Sequence, residues 1–253
     1  MKNPLTMKLE QFTSFSEDDR RRLDALTEGK HRTWSARRDI LSDGEKPDEI
    51  HIVLSGMAAR YKDLPSGERQ IMAFLIPGDM CDLEVFVLDE MDHGITALTD
   101  TVCAMVPADT IRALLTEMKG LTEALWWSTM TDAAVLRERI VDHGRRDARE
   151  RLAHLFYEML IRFRVIGMAD DNSYPFPLTQ NEIAEAVGLT PVHVNRMLQD
   201  LRADGLIDHR GKVLTIHDPV RLKRAARFSS RYLHLRRTEA GDSDVTERAG
   251  DLI

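Results

Sequence analysis

The stretch Leu178-Thr179-Gln180-Asn181-Glu182-Ile183-Ala184-Glu185-Ala186-Val187-Gly188-Leu189-Thr190-Pro191-Val192-His193-Val194-Asn195-Arg196-Met197-Leu198 holds two helix starts and one stop. Thr179 and Glu182, three apart, have the form of a capping box, so a helix begins just after Thr179. Gly188 ends it after about two turns. Thr190 is a good N-cap and Pro191 suits the first helical position, so a second helix starts at once. Two short helices around a glycine turn make a helix-turn-helix. Ala184 is small where the helices cross, and Val194 and Leu198, four apart, turn back to the core. Pro191, Val192, His193, Asn195, Arg196 and Gln199 are left at the start or on the outer side of the second helix. Arg196 can bridge a guanine edge or grip phosphate, Asn195 can pair with adenine, and Val192 can touch a thymine methyl. An ordinary helical hairpin in a core would not require these features to occur together.

Downstream, Leu201 to Ile207 followed by Asp208-His209-Arg210-Gly211-Lys212-Val213-Leu214-Thr215-Ile216 reads as strand, basic turn and strand. This is a wing whose tip, Arg210 and Lys212, can reach phosphates beside a groove. Arg221, Lys223, Arg224, Arg227 and Arg231 follow at helical spacing, as a solvated face or as further phosphate contacts. Upstream, Arg151 to Leu160 is an amphipathic helix, and Asp170 to Pro175 reads as a polar loop.

From Asp109 to His143 the only glycine is Gly120, so one long helix is expected, broken or preceded by a turn near 120. Thr122, Trp126, Thr129, Ala133, Leu136 and Ile140 recur every four or three residues, a coiled-coil seam period. That stripe faces either the chain's own sheet or a partner helix, and a homodimer satisfies the nearly all-round apolarity near Leu125-Trp126-Trp127. Between Ile40 and Pro107, short β segments (50–54, 58–61 and 70–76) alternate with turn signals at Asp43-Gly44, Ser55-Gly56, Pro65-Ser66-Gly67 and Pro77-Gly78-Asp79. This pattern predicts a small antiparallel barrel or roll. Ser16-Glu17-Asp18-Asp19 opens an earlier helix with an acidic first turn.

The net charge of −7 over 253 residues hides segregation. Residues 1–144 carry 17 Lys+Arg against 26 Asp+Glu, net −9; residues 145–237 carry 17 against 11, net +6; the last sixteen carry one against five, net −4. A basic segment with a helix-turn-helix points to nucleic acid. The break falls at Gly144-Arg145-Arg146, the expected hinge. No run approaches the roughly 18 apolar residues of a membrane helix, and the N-terminus lacks a signal-peptide core, so no membrane association and a cytoplasmic location are expected. Cys81 and Cys103 are too few for a disulfide framework or a four-thiolate cluster.

The arrangement resembles the Crp/Fnr family of bacterial transcription regulators over about Gln11 to Leu235. Pro191-Val192-His193-Val194-Asn195-Arg196 is its most specific part. Arg151-Leu152-Ala153-His154 and Met91-Asp92-His93 are similar to strings in a group of alphaproteobacterial members. The resemblance implies an α+β chain. Residues 1–118 would be a cyclic-nucleotide-binding-like antiparallel β roll (jelly-roll), 119–144 a dimerisation helix and hinge, 145–237 a winged helix-turn-helix, and 238–253 a disordered acidic tail. It also implies a homodimer on double-stranded DNA, RNA polymerase as a partner, and base-reading side chains at positions matching Pro191, Val192 and Arg196. Val192 stands where many members have Glu, so the preferred site differs at that base pair.

In members that bind cyclic AMP, a Gly-Glu pair and an Arg-Ser pair surround the phosphate, where this chain has Asp82-Leu83 and His93-Gly94. The position that contacts adenine falls at Leu136. Asp82, Glu84, His93 and Leu136 are therefore the candidate effector pocket. Asp79, Asp82 and Glu84 are expected to repel a cyclic phosphate. No cofactor and no metal are expected, and any small-molecule effector is unidentified. A sensor module with secondary DNA binding is the main competing reading, beside a cyclic-nucleotide-responsive regulator. A cupin-like enzyme would need His and Glu ligands that His51 and His93 do not supply.

Overall fold

A computed structural model describes residues 2–88 and 90–235; the expected acidic tail, 238–253, lies outside the described residues. The chain opens with a short helix that the sequence reading did not foresee, α1 (Pro4–Leu9), capped by the Asn3 side chain. Next comes α2 (Glu17–Leu26), where Ser16 and Asp19 form a full capping box. α1 seals the turn after the fifth strand. Gly78 there has φ +90, and a Cβ would stand 2.7 Å from the Pro4 backbone.

The roll consists of β1 (His31–Trp34), β2 (Asp39–Leu41), β3 (Glu49–Ser55), β4 (Ala58–Asp63), β5 (Arg69–Leu75), β6 (Gly94–Ala97) and β7 (Thr101–Pro107). They form two antiparallel sheets, ordered β1-β7-β3 and β2-β6-β4-β5. The period-2 alternation of strands assigns each face. Ala58, Leu75, Ile95 and Ala97 fill the interior between the sheets with Trp34, Val53, Cys81 and Cys103. Ile50 and Ile52 meet α1, α2 and the helices that follow β7.

After β7, α3 (Ala108–Glu117) gives way at an extended Met118 to α4 (Lys119–Arg145), about 40 Å long at 1.5 Å per residue. One face of α4 (Leu121, Ala124, Leu125, Ser128, Thr131, Ala134, Val135) is buried. The seam residues Thr122, Trp126, Thr129, Leu136 and Ile140 lie on the opposite, exposed face, with Ala133 half-buried. The stripe therefore does not face this chain's own roll. An extended Arg146 interrupts the chain, and Asp147 caps α5 (Ala148–Val165) in a box with Glu150.

The remainder is β8 (Ser173–Pro175), α6 (Gln180–Val187), α7 (Pro191–Ala203), β9 (Ile207–Arg210), β10 (Val213–Ile216) and α8 (Pro219–Ala225), ending in a 3-10 turn at Ser230–Leu233. Three sequence expectations are corrected here. Ser173–Pro175 is not loop but the edge strand of β8-β10-β9, because Tyr174 is drawn in to stack on Phe163 and donate to the Phe156 carbonyl at 2.7 Å. Residues 201–203 finish α7 rather than begin the wing strand. The basic helical spacing after 221 stops at Ala225, and Arg227 turns the chain with φ +46.

The two halves share a core. Met57, Ala59, Tyr61, Ile71, Phe74 and Ile76, on the outer face of the four-stranded sheet, pack in one cluster with Leu152, Phe156, Ile183 and Val194. Polar contacts pin the same junction: Gln70 donates to the Glu185 carbonyl at 2.6 Å, and Arg162 donates to the Phe74 carbonyl at 2.9 Å and to Asp79 at 2.8 Å.

A buried ionic cluster holds the hinge. Arg146 bridges Glu138 and Asp142, each at 2.7 Å, and Arg139 bridges Asp142 at 3.0 Å and Glu158 at 2.8 Å. Tyr232 donates to Glu158 at 2.8 Å. His154 lies fully buried among them, 3.5 Å from Asp142 and 3.6 Å from Glu138, with neither ring nitrogen hydrogen-bonded. Burial first, then Arg146 and Arg139, push its pKa down to about 2 from 6.5. Between those values the unfolded chain binds a proton that the folded chain does not, so stability falls as pH drops below the unfolded pKa. Urea unfolding should lose about 2 kcal/mol from this residue between about pH 7.5 and pH 5. His154→Leu should remove that part of the slope; identical slopes in the two proteins would refute the assignment.

Candidate nucleic-acid interface

The helix-turn-helix forms where its capping residues place it. The Thr179 hydroxyl accepts from the Glu182 amide at 3.3 Å, and the Glu182 carboxylate accepts from the Thr179 amide at 2.6 Å. Gly188 stops α6 in the left-handed region, φ +64. Thr190 then caps α7 by accepting from the His193 amide at 3.2 Å, with Pro191 at the first position. Ile183, Ala184, Val194, Leu198 and Leu201 are buried, fixing α7 against α6 and α5.

What remains outward is the predicted set. Thr179, Gln180, Thr190, Pro191, Val192, Arg196 and Gln199 are exposed, and His193 and Asn195 are half-buried. Val192 is 81% exposed, so its methyl groups are accessible to a thymine methyl. Arg196 makes no ion pair among the described residues, so its guanidinium is available for a two-acceptor edge. Pro191 and Val192 stand on the first turn of α7, where the helix dipole favours phosphate; Pro191 has no N–H and the His193 amide is taken by Thr190, which leaves the Val192 amide as the free donor there. At the wing, Gly211 (φ +57) and Lys212 (φ +68) form a two-residue mirror-type turn between Arg210 and Val213. The Lys212 carbonyl accepts from the Phe176 amide at 2.8 Å, which holds the tip while the Arg210 and Lys212 side chains stay exposed.

Of the four candidate effector residues, only Glu84 and His93 are brought into contact. Asp82 is fully buried and committed to His51, accepting from its amide at 2.8 Å and contacting Nδ1 at 2.6 Å. Glu84 lies 3.5 Å from His93, whose other nitrogen meets Asp92 at 2.6 Å. Leu136 is on the outer face of α4. The expected repulsion by Asp79 and Asp82 is also corrected, since those carboxylates are spent internally. Although burial opposes ionisation, Lys8 and Arg162 hold the Asp79 carboxyl below its usual range.

The sequence reading missed a cavity lined by Lys8, Phe12, Arg60, Phe74, Thr131, Asp132, Val135 and Arg162, among others, where the roll, α4, α5 and the C-terminal segment meet. Arg60 bridges the roll to α4: it donates to the Met80 and Cys81 carbonyls at 3.0 and 3.2 Å and pairs with Asp132 at 3.1 Å. Burial opposes its charge, but Asp132 and Glu84 keep it a cation. Among the described residues no cluster of His, Cys, Asp and Glu could hold a metal ion, and no helix is long and apolar enough to cross a membrane.

Comparison with known proteins finds two matching segments of the chain. A model of the cyclic nucleotide-binding domain matches residues 31–118, and one of the Crp-like helix-turn-helix domain matches residues 150–225. The chain is similar to the transcriptional activator protein FnrL of Cereibacter sphaeroides, 26% identical over 185 residues covering 72% of this chain and 74% of the relative. It is similar to the nitrogen fixation regulation protein FixK of Bradyrhizobium diazoefficiens, 26% identical over 198 residues covering 78% and 82%. The solved structure of FixK2 from Bradyrhizobium japonicum shares the fold with a TM-score of 0.71 at 24% identity, over 79% of this chain and 98% of that one.

The turn itself is testable. A Cβ on Gly188 would adopt a left-handed backbone and stand 2.9 Å from the His143 ring at the end of α4. Gly188→Ala should cost about 1–3 kcal/mol, a left-handed residue alone costing 1–2, against about 1 kcal/mol for Thr190→Ala, which removes only a cap. Urea denaturation of the two variants measures the difference, and a neutral Gly188→Ala would contradict the geometry.

Proposed function

The chain belongs to the Crp/Fnr family of DNA-binding transcription regulators, and from there we propose that it works as a homodimer on a pseudo-palindromic duplex site. The observation that carries this is α7: capped, buttressed on one side, and offering Pro191, Val192, Asn195, Arg196 and Gln199 on the other. Each α7 enters a major groove, the half-sites lie about one helical turn apart, and Arg210 and Lys212 rest on flanking phosphates. Thr179, Gln180 and Thr190 contact the backbone from the helix starts. Arg196 reads guanine, Asn195 or Gln199 reads adenine, and Val192 favours a thymine methyl over a cytosine amine. The complex then engages RNA polymerase in the cytoplasm, under a small-molecule effector or none.

Dimerisation is supported by the outer face of α4. Trp126 (69% exposed), Leu136 (40%) and Ile140 (71%) form an apolar stripe with Thr122, Thr129 and Ala133, at the period of a two-helix seam. Partner helices packed along it would cover these side chains.

Selection of duplexes from a random pool, followed by fluorescence titration, tests the DNA reading. Arg196→Ala should weaken the selected site by about 1–3 kcal/mol and leave random DNA nearly unchanged; Lys212→Ala should weaken both and lower the salt slope by about one. Equal losses on both DNAs for both variants would defeat these roles. Analytical ultracentrifugation of Ile140→Glu should show monomers where the parent chain is dimeric, since a carboxylate buried in the seam lacks a partner. A variant that stays dimeric would move the interface elsewhere.

A further inference from the structure

We propose that the exposed cationic face of α8, with Arg231 beyond it, is a docking surface for the chain's own acidic segment, residues 238–253, which lowers the positive charge of the DNA-binding half until a duplex competes it away. Several cations of that half are already taken up within the molecule. Arg146 pairs with Glu138 and Asp142, Arg149 with Asp204, Arg162 with Asp79, Arg210 with Asp208 and Arg227 with Glu150. Arg221 and Arg224 differ. They stand three apart on α8, both exposed, and Arg231 is exposed in the 3-10 turn that follows. None of the three makes an ion pair among the described residues. Leu222 is buried in the core shared with α5, so α8 is fixed on one side and carries its free charge on the other.

The occupant is identified by charge and by reach. Residues 238–253 carry Glu239, Asp242, Asp244, Glu247 and Asp251 against Arg248 alone, net −4. Apart from Val245, Leu252 and Ile253 they include no large apolar side chain, so their attraction to a surface is mainly ionic. The chain before them is anchored: Leu233 is buried, and the His234 ring lies 5.7 Å from that of Trp127. Arg231 precedes Leu235 by four residues and Glu239 follows it by four. The eighteen residues after Leu235 can span about 60 Å when extended, against a radius of gyration of about 12 Å for a domain the size of 145–237. Single exposed ion pairs are weak. A tethered segment with several charges nevertheless meets its surface at an effective concentration in the millimolar range, which is enough to occupy a weak ionic site at low salt. Arg196 and Lys212, on α7 and the wing, are more distant along the chain, which makes Arg221, Arg224 and Arg231 the nearest free cations.

Docking leaves the net +6 of residues 145–237 at +2. A duplex then displaces the segment or binds in a weaker field, and either lowers affinity for all sequences alike. The effect on DNA rests on the proposed function, whereas the docking does not.

Two experiments on the full chain test this. The first needs no DNA. In Arg221→Lys/Arg224→Lys, which keeps both charges, a carbodiimide should couple the amines at 221 and 224 to carboxylates of 238–253 at about 50 mM salt and not at about 300 mM, read by peptide mapping in a mass spectrometer. Absence of those cross-links at low salt would overturn the inference. The second combines Glu239→Gln, Asp242→Asn, Asp244→Asn, Glu247→Gln and Asp251→Asn. Anisotropy titration should find a random-sequence duplex bound about five- to tenfold more tightly than by the parent at about 50 mM salt, and within about twofold at about 300 mM. With Arg221→Gln/Arg224→Gln/Arg231→Gln already in place, the same five changes should alter affinity by less than about twofold. An unchanged affinity in the first comparison, or an undiminished gain in the second, would also overturn the inference, the latter by showing that the segment repels the duplex directly. A protein that forms the cross-links but binds no duplex would overturn the DNA reading instead.

Discussion

The molecule depends on how Asp142 divides its two oxygens. One accepts from Arg139 on its own helix and the other from Arg146, the residue at which the helix ends. Arg139 reaches on to Glu158 in α5, and Arg146 reaches back to Glu138. The last turns of α4 are thereby tied to the first helix of the DNA-binding half through charges that are nearly all withdrawn from water. Breaking such a cluster strands a buried charge, typically costing about 3–5 kcal/mol. The chain can change direction at Arg146 and still hold a defined angle.

That angle matters because the two halves share apolar surface. The outer face of the four-stranded sheet would be exposed if the DNA-binding half swung away, uncovering Tyr61, Ile71 and Phe74 together. At about 25 cal/mol per Å² such exposure is unfavourable unless something else covers the face. Reorientation of the DNA-binding half is therefore a competition between covers for one sheet, and a ligand need only favour one cover by a few kcal/mol to shift the population. The cavity beside Arg60 and Arg162 lies at the edge of that shared surface.

The parts of the fold that were legible in the sequence are those governed by local chemistry. Thr179 with Glu182, Gly188, and Thr190 with Pro191 act within a turn of themselves, so helix starts and stops could be placed before any tertiary contact was known. Ser173-Tyr174-Pro175 could not, because its strand exists only by pairing with β10 some forty residues later and by burying Tyr174 on α5. The segment 58–61 was legible as a strand, but nothing within it tells that Arg60 points into the molecule to meet Asp132 seventy-two residues on. The cavity walls come from positions 8, 60, 131 and 162, and no window of sequence contains them. Leu136 shows the limit of reading a helix by position: a step of one residue is a turn of about 100°, which separates its exposed side chain from the buried Val135.

The charge segregation acquires a physical meaning from this arrangement. Several of the acidic half's carboxylates face inward onto cations, as Asp79 faces Lys8 and Arg162 and Asp132 faces Arg60. The Arg60–Asp132 pair sums to zero and contributes almost nothing to the field outside, while Asp79 with its two cations sums to +1. The carboxylates left on the surface of the roll repel a polyanion, but only within a Debye length of about 8 Å at physiological ionic strength. At such salt a duplex lying on α7 and the wing meets the net +6 of residues 145–237, and the −9 of residues 1–144 is screened from it. At low salt the repulsion extends further and offsets part of the attraction. An acidic half so placed would offset part of a duplex's attraction to the basic half at low salt and little of it at physiological salt.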